Sequence, residues 1–170
     1  MVAKAPERFP QGDVLVRPWC FDWDWHVRLG LFILPGTEGP HLNDGLSLGA
    51  SAVLVYGVIT SAFAQPRNVM GGHVISALIG VASYKLLGGD VWLAATIAVS
   101  LSVMAMLLTR TVHPPGGATA LTAVIGGNKV YDLGFFYVLV PVALGVLILL
   151  AVGLIVNNVS SKRRYPEYWF

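Results

Sequence analysis

The chain contains a single cysteine, Cys20, among its 170 residues. A lone cysteine excludes a disulfide framework, a cysteine-built metal site and a CxxCH haem attachment, and it leaves the redox compartment open. Charge is also scarce, at 12% of residues, and unevenly placed: ten of the twenty charged residues fall in the first 44 positions, leaving ten for the other 126. Acidic groups are scarcer still, with only Asp44 and Asp90 between Glu38 and Asp132, both at expected helix ends. Without a carboxylate in the apolar part, or a base placed beside its serines and threonines, no catalytic constellation can be drawn. We expect no enzyme. Four scattered histidines without acidic partners argue against a metal site, and no cofactor is expected. The absence of a GxxxxGK[ST] loop excludes ATP-driven transport by this chain alone. A net charge of +2 gives no argument for nucleic acid. The N-terminus lacks both the apolar core of a secretory signal and the Arg/Ser-rich pattern of a transit peptide.

What remains is apolar: 55% of residues are hydrophobic, which reads as an all-α, polytopic membrane bundle of four to five segments. Residues 1–44 form an extramembrane or interfacial arm broken by prolines. Trp19, Trp23 and Trp25 alternate there with Asp22 and Asp24, a pattern suited to lipid headgroup level or to docking on a partner subunit. Gly45 to Pro66 gives 22 uncharged residues, the first expected span, opening on the close-packing pair Gly45 and Gly49. Val69 to Leu87 is the second, with Gly72, Ser76 and Gly80 on a small-residue face. Val91 to Thr109 is the third. Leu133 to Val156 is the longest apolar run, bent at Pro141. Residues 158–170 read as a basic, aromatic interfacial tail, so the transmembrane domain is bounded as 45–157.

Between the last two spans lies the chain's most unusual stretch, Thr109-Arg-Thr-Val-His-Pro-Pro-Gly-Gly-Ala-Thr-Ala-Leu121. Two prolines push His113 out of helical space, and Pro115 suits the first turn of a new helix. That segment, to Gly127, is either a re-entrant half-helix or a short buried span. The first-turn amides at Gly117 and Ala118, with Arg110 and His113 nearby, suit a small anion. The same residues also suit a tight turn with Arg110 reaching lipid headgroups.

This stretch resembles the signature of the HPP family of integral membrane proteins. Leu48-Gly-Ala-Ser-Ala-Val-Leu54 and Ala64-Gln-Pro-Arg-Asn-Val-Met-Gly-Gly-His73 match the same family, and together the three cover roughly residues 45 to 157. The family includes plastid and cyanobacterial nitrite transporters. The resemblance therefore implies a small-anion channel or secondary transporter in a bacterial inner membrane or an organellar (plastid envelope, thylakoid or mitochondrial) one. The expected ligands to the anion are Gly49, Ser51, Arg67, Asn68, His73, Arg110, His113, Gly117, Ala118 and Thr119. Family members generally carry more apolar sequence before the Gly-Ala-Ser stretch than this chain does. That departure opens an alternative, an accessory subunit of a larger membrane complex that transports nothing. The expected partners are a lipid bilayer, a small inorganic anion, and either a second copy of the chain or a larger complex.

Two short stretches share one pattern, Gly-Ala-[Ser/Thr]-Ala followed by an apolar residue: Gly49 to Leu54 and Gly117 to Thr122. Taken as equivalents they hint at an inverted repeat, an arrangement common in transporters that bind at the repeat interface. His73 and His113 could pair, relay protons or adjust charge with pH, or each could simply bond a neighbouring helix.

Overall fold

The structure, a computed structural model, describes residues 42–161 and 163–169, with side chains from Ser47 onward. The tryptophan-rich arm, with Trp19, Trp23 and Trp25, lies outside the described residues. All regular structure among the described residues is helical. Helix α1 covers Leu42–Ala52 and runs on as a wider π-helical turn over Val53–Gly57. Helix α2 covers Pro66–Leu87, α3 Val91–Leu108, α4 Pro115–Ile125 and α5 Asn128–Leu133. A second π-helical turn, Val138–Ala143, leads into α6, Leu144–Asn158.

Three stretches are long and apolar enough to cross a membrane: Pro66–Leu87, Val91–Leu108 and Val138–Asn158. Ser47–Gly57 and Pro115–Ile125 are shorter apolar helices. The expected continuous span from Gly45 to Pro66 is therefore corrected. The helix stops at Gly57, and the chain crosses the bundle end through a 3-10 turn, Ala62–Ala64. Ser61 caps that turn by accepting the Phe63 amide, and Pro66 fixes the first residue of α2. The run beginning at Leu133 is likewise divided. Gly134 takes a left-handed conformation (φ 51°), and Val140 leaves helical space (φ −135°, ψ 117°) just before Pro141. A proline has no N–H to continue the ladder and crowds the preceding residue, so the break falls there.

Helix α2 is the central post, packed most closely on α3 and α4. Small residues make this approach possible. A Cβ added at Gly72 would lie 2.5 Å from the His113 Cβ; at Gly80, 2.6 Å from the Ala120 carbonyl oxygen; at Gly116, 2.8 Å from the Gly72 carbonyl oxygen. Gly72 thus sits beside residue 113 and Gly80 beside residue 120, so α4 runs in the same direction as α2. The core is built of alanine and valine: Ala77, Val81 and Ala123 in one cluster, and Ala94, Ala98, Ala120 and Val124 in another. The outside is the reverse, with Leu86, Trp92, Leu107, Leu108, Leu147 and Ile155 largely exposed. In a chain this apolar, such faces are lipid surface.

The tail returns to the end of the bundle where α2 starts. The π-helical turn of α1 leaves carbonyls that later residues take. Asn157 Nδ2 donates to the Val55 oxygen at 2.8 Å, and Arg163 Nη2 donates to the Tyr56 oxygen at 2.8 Å. Tyr165 Oη donates to the Ala64 oxygen at 2.7 Å, and the Glu167 amide donates to Gln65 Oε1 at 2.9 Å. Burial, with Tyr56 adding to it, pushes the Tyr165 phenol above its ordinary value. At the opposite end Lys85 lies over the Phe135 ring and beside Gly134, and Tyr84 stacks on Tyr131.

The glycine seam generates a stability prediction. Gly80→Val should lower thermal stability in detergent by roughly the 1–3 kcal/mol typical of overpacking. Gly117→Val, where an added Cβ would meet only Val99 at 4.0 Å, should cost far less.

Candidate functional site

Hydroxyls on α1 meet imidazoles from two other segments in the middle of this apolar bundle. Ser47 and Ser51 lie four residues apart, hence on one face of α1. His73 is the eighth residue of α2, about 10 Å from its start at 1.5 Å per residue. His113 is held by non-helical backbone that dips into the protein before α4 begins, and Thr119 lies one turn into α4. Ser47, Ser51, His73, His113 and Thr119 are all buried, none more than 3% exposed.

The five side chains form a continuous set of short contacts. Ser51 Oγ lies 2.7 Å from His73 Nε2 and 2.8 Å from His113 Nε2. On its other edge, His73 Nδ1 is 2.6 Å from Thr119 Oγ1, which is 2.6 Å from Ser47 Oγ. Ser47 Oγ also reaches the Pro115 carbonyl at 2.9 Å, and His113 Nδ1 reaches the Phe63 carbonyl at 2.7 Å. The two rings are tilted with centroids 4.9 Å apart. A cavity of ≈ 10 Å³, barely room for one water, adjoins the cluster and is lined by Ser47, His73 and Thr119 with Tyr137, Pro141 and Val142.

Helix α1 runs against the chain direction of the 113–119 segment here, since Ser47 touches Thr119 while Ser51 touches His113. The two Gly-Ala-[Ser/Thr]-Ala stretches thus flank His73 from opposite edges. Their equivalent hydroxyls, Ser51 and Thr119, take the two nitrogens of a single ring, His73.

The arginines are elsewhere. Arg67 is exposed and donates from Nη2 to the Thr109 carbonyl at 3.1 Å, closing the end of α3. Asn68 Nδ2 donates to the Val112 carbonyl at 3.0 Å and pins the descending loop. Arg110 is exposed too, and it is the one described non-glycine residue with a left-handed backbone, φ 55°. It occupies the position just past the helix that glycine usually fills: the Arg110 amide donates to Leu107 and the Thr111 amide to Met106. The expected convergence of Arg67, Arg110 and His113 on one anion is not what the structure builds. Both arginines face outward at the bundle end, while His113 turns inward.

The amides at the start of α4 are also engaged. Gly116 donates to the His113 carbonyl at 2.8 Å and Gly117 to the Pro114 carbonyl at 3.1 Å, so the latter is no open anion donor. Ala118 is exposed. The close contact with α2 is made by Gly116. Gly49 and Ser76 are buried, the Ser76 hydroxyl without a hydrogen-bond partner, and the packing of Gly45 lies outside the described side chains. Sequence reading missed Ser47, whose signal was its four-residue spacing from Ser51. It also missed Asn157, a polar residue at the end of the most apolar helix.

A family pattern described as the HPP transmembrane region matches residues 45–166. Two transmembrane proteins of Dictyostelium discoideum are similar to the chain, at 45% and 44% identity over 127 residues. That alignment covers 73% of this chain but only 44% and 40% of those proteins, so the chain spans less than half the length of the curated relatives it matches. No solved structure matches the chain.

Arg110 supplies a test of cap against function. A left-handed conformation costs a non-glycine residue about 1–2 kcal/mol. Arg110→Gly should therefore raise the unfolding midpoint in detergent, and a loss of stability would show that the guanidinium holds the fold.

Proposed function

The chain belongs to the HPP transmembrane family, and from that premise we propose that it passes a small inorganic anion of the nitrite class across its membrane, catalysing no reaction. The observation that carries the reading is the buried cluster itself. Three hydroxyls and two imidazoles at the meeting of α1, α2, α4 and the 109–114 loop bring convergent polar groups into an otherwise apolar bundle. Ionisable side chains inside a membrane segment are costly, and a pair of them is a functional-site candidate by default. Among the described residues no carboxylate lies beside them to repel an anion. Arg67 and Arg110 together make one bundle end electropositive, a recruiting surface, not a ligand set.

The placing of equivalent hydroxyls from the two Gly-Ala-[Ser/Thr]-Ala stretches on opposite edges of one ring supports a site at a repeat interface. In the described conformation the way in is shut, because the adjoining cavity has room for no more than a water. Passage requires Tyr137 and the turn carrying Pro141 and Val142 to part from α1, and the break at Val140 and Pro141 supplies a hinge.

Purified full-length chain in liposomes should pass nitrite down its gradient. Thr119→Val, equal in shape but without the hydroxyl, should abolish that flux, whereas Arg67→Ala should only slow it. Absence of flux from well-folded protein, or flux indifferent to Thr119→Val, would overturn the reading.

A further inference from the structure

The contacts around the two rings leave little freedom for their protons. The Phe63 carbonyl can only accept, so His113 carries its proton on Nδ1. With a neutral ring, His113 Nε2 then accepts, and Ser51 must donate to it. A serine has one proton, so the remaining close contact of Ser51 is filled by His73 donating from Nε2. His73 Nδ1 must accept, Thr119 must donate to it, and Ser47 must donate to Thr119. One carbonyl thus orients the row, Ser47 to Thr119 to His73 to Ser51 to His113.

One extra proton reverses that row without breaking a contact. Added at Ser47, it sends the Ser47 proton to Thr119, the Thr119 proton to His73 Nδ1, the His73 Nε2 proton to Ser51 and the Ser51 proton to His113 Nε2. His113 ends as an imidazolium, His73 ends neutral with its proton moved to the other nitrogen, and every hydroxyl has one proton again. Ser47 then donates to the Pro115 carbonyl, which stands ready at 2.9 Å. The row runs back when the proton leaves again at Ser47; onward transfer requires water, entering at the Phe63 end, to take the Nδ1 proton of His113, because the carbonyl itself can accept only a hydrogen bond. The ends suit this: Ser47 lines the internal cavity, and His113 lies beneath the exposed residues Phe63 and Pro114.

We infer that Ser47, Thr119, His73, Ser51 and His113 form a one-proton relay running from the internal cavity to the Phe63 end of the bundle. Little else near the rings titrates. Among the described residues packed there, α1 presents serine and leucine, α4 presents threonine, and the 138–143 segment presents Pro141 and Val142, with Tyr137 just before it. Arg67 and Arg110 lie exposed at the bundle end. The competing arrangement is specific: Ser51 Oγ also lies 3.0 Å from the Ser47 carbonyl, and turning its proton there would stop the relay.

The test is 15N NMR of histidine-labelled, full-length chain in lipid nanodiscs, with His26→Gln and His41→Gln leaving two imidazoles. At high pH His113 should show its proton on Nδ1 and His73 on Nε2. On acidification the pair should take up one proton together. His113 should become the imidazolium while His73 stays neutral and moves its proton to Nδ1. In Ser51→Ala the His73 proton should no longer follow His113, and acid-driven proton entry into dye-loaded liposomes should fall to that of empty vesicles. If His73 keeps its Nε2 proton throughout, or each ring takes its own proton, the relay is refuted. The wild-type titration decides even if the variant misfolds. No anion other than buffer is needed, so failed nitrite flux with an intact tautomer switch would sink the transport reading and leave the relay.

Discussion

One imidazole holds this bundle's centre together. His73 presents two nitrogens inside an apolar interior, and each must be bonded, because neither lipid nor an alanine-valine core offers a substitute. Both partners come from other helices: Ser51 of α1 on one edge and Thr119 of α4 on the other. Three helices are therefore fixed in register by a single ring. Measured hydrogen bonds between membrane helices are individually modest, averaging about 0.6 kcal/mol. Their weight here comes from being linked, since removing one hydroxyl leaves groups on two further elements unmet.

The small residues follow from that requirement. For Ser51 and Thr119 to reach the same ring, α1 and α4 must approach α2 closely, and the Gly72 and Gly116 backbones make this geometrically available. The descending loop obeys the same logic. Its irregular backbone is tolerated at depth because the protein, not lipid, surrounds it, and Asn68 and the His113 ring tie it to neighbouring carbonyls. The arginines stay out. A guanidinium beside two buried imidazoles would have to shed its water, whereas at the bundle end it covers helix carbonyls and remains wet.

Much of this was legible in the sequence, and the limits have physical causes. Pro115 and Pro141 marked a helix start and a bend because proline's constraints are local, whereas Pro66, read as the end of the first span, is the first residue of α2. His73, His113, Ser51 and Thr119 could be singled out as polar residues in apolar runs. That the two rings could pair was legible, but how the hydroxyls link them was not, because it depends on the direction in which α4 runs. The grouping of Arg67 and Arg110 with His113 failed for a related reason: closeness in sequence between residues 110 and 113 conceals a left-handed turn that sends one outward and the other inward. The run from Gly45 to Pro66 looked like one span because hydropathy does not register where helical geometry ends.

The claim that Ser51 and Thr119 act as one unit through His73 is tested most directly by a double-mutant cycle. Ser51→Ala and Thr119→Val, singly and together, would be compared by unfolding in detergent. Two sites without a shared partner should add to within about 0.3–0.5 kcal/mol. The account predicts a coupling energy clearly above that margin, vanishing when both changes are made on a His73→Phe background. Additive losses, or coupling that survives removal of the ring, would contradict it.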